Sequence, residues 1–242
     1  VVAHYGPVAI LANGRGARLE LTDVVLRDQR PVASRVLRGV SVEVDASMRL
    51  TRVAVLRGRG EGVTVQRTGT ATITDLLVDG LVEDDDRGAA FGLILTEASS
   101  LQLDRARITG VKGCAMSVQS DSRATVRELD LVDNEDIGLI VASRAQMTAR
   151  NVRVSGVPRG QHDVGLGLVV DVGTLDLTDA TITGAEETAL FVKSRGDPAT
   201  HLTNVTLSRS RVAVLSFLTA QERASLVFER VRLIENVVDI GP

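Results

Sequence analysis

The sequence predicts an all-β chain: a right-handed, single-stranded parallel β-helix of about nine coils of 23–30 residues, with three short strands per coil. Three observations predict it. The first is composition: 36 valines stand against four phenylalanines, one tyrosine and no tryptophan, and the branched valine side chain suits a pleated strand. The second is a short phrase that recurs nine times, the mark of a repeat architecture. The third is period-2 alternation between the recurrences, with no stretch of helical period to supply crossover helices.

The phrases run in order as LELTDVVL (19–26), MRLTRVAV (48–55), ATITDLLV (71–78), LQLDRARI (101–108) and ATVRELDL (124–131). They continue as AQMTARNVRV (145–154), LDLTDATI (175–182), THLTNVTL (200–207) and LVFERVRL (226–233). The second apolar residue of each serves as an anchor: Leu21, Leu50, Ile73, Leu103, Val126, Ala149, Leu177, Leu202 and Phe228, which number coils one to nine. Apolar residues follow each anchor at +3 and +5. After a turn comes a further alternating run, such as VSVEV from Val40, FGLIL from Phe91, AMSV from Ala115 and IGLIV from Ile137. A leucine-rich repeat is the main rival, but its phrase is missing and strands stand where its helix belongs.

Turn chemistry supports the coil. Gly58, Gly80, Gly110, Asn134, Gly156, Gly184 and Asn236 stand seven or eight residues past their anchors. Glycine and asparagine accept a left-handed backbone, so one tight bend recurs at that corner. Position +2 reads Asp23, Arg52, Asp75, Arg105, Glu128, Asn151, Asp179, Asn204, Arg230. Coils stack about 4.8 Å apart, which brings these side chains into one column. Opposite charges stacked there attract, so the column reads as a register-setting ladder and not as a charged site.

The composition also excludes functions. A net charge of −3 and few aromatics leave neither a basic footprint nor a stacking platform for nucleic acid. No apolar run approaches the roughly 18 residues of a membrane helix, so membrane insertion by this segment is not expected. Cys114 is the only cysteine; no internal disulfide is possible. Its parity with Met116 and Val118 makes it a small core residue.

Candidate binding residues come from coil length. From position +5 to the third strand most coils use eight residues, but coils one, three and six use more. The extra residues, 28–35, 81–87 and 157–163, fall at one corner, and insertions on one face of a solenoid border its binding face. They contribute Asp84, Asp85, Asp86 and Arg87, and then Arg159, His162 and Asp163. The outward side of the third strand adds Gln119 and Lys193, along with an apolar strip at Ile94, Ile140 and Phe191. Glu83 to Asp86 offer hard oxygens for calcium, but consecutive acids point apart and read as a solvated loop. Gln161, His162 and Asp163 hold a base beside an acid with no nucleophile in view. No catalytic residue, cofactor or bound metal is expected.

At this level the chain resembles the right-handed parallel β-helix repeat proteins, the pectate-lyase-like superfamily that includes polygalacturonases. The resemblance spans residues 8–240 and rests on repeat period and turn chemistry. It implies a secreted or surface-bound bacterial protein that meets a polysaccharide or a protein partner. The polygalacturonase Asn-Thr-Asp, Gly-His-Gly and Arg-Ile-Lys motifs do not occur here. A non-catalytic scaffold or recognition domain is therefore the expectation, ahead of a polysaccharide lyase or glycoside hydrolase acting at the corner loops, or a plain spacer. The chain starts with a strand-like run at 7–10 and ends in another. Residues 1–242 are thus expected to form one β-helix domain cut from a longer protein without its end caps.

Overall fold

Each phrase becomes a long strand and each following run a short one. The computed structural model describes residues 1–30, 37–83, 90–193, 199–219 and 225–241. Long strands such as Arg18–Arg27, Ser47–Leu56, Thr70–Asp79, Ser100–Thr109 and Arg123–Val132 pair in parallel, each with the strand one coil on. Short strands such as Arg38–Glu43, Glu61–Gln66, Phe91–Leu95, Lys112–Val118 and Glu135–Ala142 build a second parallel sheet in the same way. All nine anchors fall in register, from Leu21 opposite Leu50 to Leu202 opposite Phe228. The chain is a parallel β-solenoid of about nine turns, with no α-helix among the described residues. Among those residues no helix is long and apolar enough to cross a membrane.

The three expected strands per coil resolve into two sheets, because the first two merge into one bent strand. In Ser47–Leu56 the core takes Met48, Leu50, Val53 and Val55. The step of three between Leu50 and Val53 is the bend itself. Arg52 stands there with φ of 52°, and the ladder passes over it, pairing Thr51 and Val53 with the coils on either side. The whole +2 column adopts this conformation, with φ between 52° and 59° from Asp23 to Arg230. A left-handed residue shifts the alternation by one and turns the chain around the core.

The second corner also differs from its expected form. The left-handed residue is always at +7, which includes Arg57, Asp133 and Glu235 as well as Gly80 and Gly110. Gly58, Asn134 and Asn236 at +8 are not left-handed, because the bend is complete one residue earlier. Asn134 instead turns into the core. Its Oδ1 accepts the Val111 N–H at 3.1 Å, and its Nδ2 donates to the Ile108 carbonyl at 3.0 Å. Asn236 repeats the bracket on Ser210 and Leu207. Both satisfy backbone groups of the preceding coil that the turn leaves without a ladder partner.

The charged column forms as separate pairs and not as one continuous ladder. Arg52 donates to both Asp23 oxygens at 2.5 and 2.7 Å, and Arg105 to both Asp75 oxygens at 2.6 and 3.1 Å. Asn204 binds Asp179 at 2.6 Å. Each fork joins a guanidinium to the acid one coil back, and Arg105 also reaches its neighbour Asp104 at 3.0 Å.

Two further expectations are corrected on the short strands. Ala115 and Met116 both enter the core cluster, so the alternation slips there; Cys114 is buried as expected, but not through the parity with Met116 that predicted it. The slip needs small residues, since a Cβ on Gly62 or Gly138 would lie 2.6 Å from the backbone oxygen of the next coil. The outward face is also no open groove in its first coils, where Ser41 and Thr64 are fully buried. Arg38 lies over them, 2.7 Å from both Glu43 and Glu61. The two hydroxyls donate to those carboxylates at 2.9 and 2.6 Å.

Candidate functional site

Coil lengths build the site. Coils four and five turn through their second corner in the short eight-residue form, while coils three and six carry the long form. Two long corners therefore flank two short ones, and a notch lies between them. Its floor is Gly113, Cys114, Asp136 and Ile137, with Ile140 beside them. Ala90 and Phe91 of coil three and His162 and Val164 of coil six form its walls. The enclosed space is about 250 Å³ and mainly apolar.

At one edge three donors converge. His162 Nε2 is 3.3 Å from Glu83 Oε1 and 4.0 Å from Asp136 Oδ2, and the three ligand-type atoms all lie within 4.8 Å of one another. They come from coils three, five and six. Coils three and six are roughly 14 Å apart along the axis at ~4.8 Å per coil, yet Glu83 and His162 meet at 3.3 Å.

Asp136 is held from below and above. It begins its short strand in the left-handed region, at φ 60°, between Gly113 and Gly165 in the sheet register. The coil-six corner closes over it: the Asp136 N–H donates to the Pro158 carbonyl at 3.0 Å. The Gly160 N–H returns a bond to Asp136 Oδ1 at 2.9 Å. Position 160 must be glycine for this approach, because a Cβ there would lie 2.7 Å from Oδ1. Asp136 is 3% exposed, and its Oδ2 has no hydrogen-bond partner among the described residues.

The electrostatics follow from burial. Glu83 is held above the usual carboxylate range, first by burial and then by the charge of Asp136, with His162 pulling the other way. Cys114 is driven upward by burial and by the Asp136 charge, and its Sγ donates to the Met116 carbonyl at 3.2 Å. It stays a thiol, and the thiol is not the nucleophile.

Of the sequence candidates among the described residues, His162 is the one that enters the cluster. Asp163 does not orient it; that side chain is 85% exposed and meets Arg159 at 3.3 Å. Arg159 spans Asp163 and Glu186 at the outer rim. Gln119 folds back on Ser117 at 2.5 Å, and Lys193 lies 3.9 Å from Asp171. Both belong to the far end of the short strands. Asp84, Asp85, Asp86 and Arg87 lie outside the described residues. Sequence reasoning missed Asp136 and undervalued Glu83. The available signal was register: Asp136 is an acid set between Gly113 and Gly165 in neighbouring coils.

The sequence matches no protein-family model and no curated protein, and the structure matches no solved one, so the fold and the notch are themselves what places this chain.

Proposed function

We propose that this chain is a non-catalytic recognition domain of the pectate-lyase-like β-helix superfamily, from a secreted or surface-bound bacterial protein. Its recognition point is the notch over coils four and five. The observation that carries this reading is the notch itself: an apolar floor of about 250 Å³ with polar groups gathered at one edge. Binding pockets combine an apolar lining with a few polar groups that fix orientation. The volume suits one sugar ring or one side chain of a partner protein.

Titration calorimetry against neutral and acidic oligosaccharides tests this, comparing the wild type with a variant whose coil-six corner is shortened to eight residues. Loss of binding with the melting temperature held within a few degrees is expected, since ~1 kcal/mol moves a domain of this size by about 2–4 °C. Retained binding in the shortened variant places recognition elsewhere.

A second reading, polysaccharide cleavage, draws on Glu83, an acid held above its usual range beside the carboxylate of Asp136. That pairing is the kind that separates a general acid from its partner. Release of reducing or unsaturated ends from a polysaccharide, abolished in Glu83→Gln, would replace the recognition reading.

A further inference from the structure

We infer that Glu83, Asp136 and His162 bind one first-row divalent metal ion of the zinc class, which staples coils three, five and six. The inference does not rest on the recognition reading, because a staple acts whether or not the notch takes a ligand. It also departs from the sequence expectation of no metal.

The chemistry of the donor set selects the ion. One imidazole nitrogen and two carboxylates form a mixed nitrogen and oxygen set. Calcium requires six to eight oxygens, whereas zinc takes nitrogen and oxygen at low coordination number. The spacing agrees. A tetrahedron built on bonds of ~2.0–2.1 Å has edges of about 3.3–3.4 Å. The His162 Nε2 to Glu83 Oε1 distance is 3.3 Å, and the 4.0 Å to Asp136 Oδ2 closes with a small side-chain movement.

Asp136 points to the ligand independently of the clustering. It is 3% exposed, and one carboxylate oxygen is tied by Gly160 while Oδ2 faces the cluster without a hydrogen-bond partner among the described residues. A buried carboxylate left in this state is costly. With neutral imidazole the three groups carry two negative charges, which a divalent cation balances. Asp136 and His162 also line the notch.

Three protein ligands from three coils fix the long corner of coil six against that of coil three. The backbone around Gly160 already orients Asp136 as an outer partner orients a metal ligand.

The test is equilibrium binding of Zn²⁺ alone to the 242-residue chain, after chelator treatment and with a chromophoric competitor. One ion per chain is expected, with affinity weakened at least tenfold in Glu83→Gln, Asp136→Asn and His162→Ala. His162 is half exposed, so its alanine variant keeps the fold and reads the site independently of the two acids. Mg²⁺ and Ca²⁺ at equal concentration should not displace the ion. Cobalt substitution should give no thiolate-to-metal charge-transfer band, since Cys114 is outside the set. No binding, unchanged binding in His162→Ala, or a thiolate band would each overturn the site.

Discussion

Two corners of the same solenoid treat aspartate in opposite ways. At the bend of the long strands Asp23 and Asp75 are exposed, forked by arginines one coil on, and held below the usual carboxylate range by those hydrogen bonds. At the corner above the short strands Asp136 is buried and Glu83 is pushed up, chiefly by desolvation. Both corners rest on left-handed backbone. The difference is water. An exposed acid with a guanidinium partner reports on stacking, whereas a buried acid without one is a cost that the fold alone does not explain.

The sharpest way to break this comparison is to remove a neutral bracket next to Asp136. Asn134→Ala leaves the buried Val111 N–H without an acceptor, and a loss of about 1–3 kcal/mol in urea unfolding is expected. A negligible loss would mean that this corner is held by packing alone.

The next prediction concerns sign. With chelator present, Asp136→Asn removes a buried charge beside Glu83 but keeps the oxygen that Gly160 bonds. It should stabilise the chain by about 1 kcal/mol. Asp75→Asn at the exposed corner should destabilise. Destabilisation in both variants would erase the distinction between the two corners.

The smallest effect is the pH dependence of the exposed pairs. Asp75 is held below its ordinary value by Arg105, so its contribution is fully present above the ordinary aspartate value. It is lost as the pH falls through the lowered one. The difference in urea midpoint between wild type and Asp75→Asn should therefore vanish in acid, and also shrink in high salt. A difference that survives acid would assign it to packing instead.

How much was legible in the sequence follows from these same residues. The anchors fixed every register because period-2 alternation and a recurring phrase leave one way to stack. The step from anchor to +3 already contained the bend, since strict alternation gives +2 or +4. The slip at Ala115 and Met116 carried no such mark, so the burial of Cys114 was legible while the parity behind it was not. His162 stood out as a rare residue in a long corner. Its partners were hidden because Glu83, Asp136 and His162 come from three different coils and meet only in the folded chain. That juxtaposition is set by loop length and backbone path, which local pattern does not encode.

The notch has a genetic consequence. It is written in the lengths of four consecutive corners, long, short, short, long, and in few side chains. A deletion of six or seven residues in coil three or six would erase it, while a like insertion in coil four would fill it. Either change would leave the anchors in register, because longer closures on a rigid frame cost little. Insertions and deletions, more than point substitutions, are therefore the currency in which such a molecule would gain, move or lose its site.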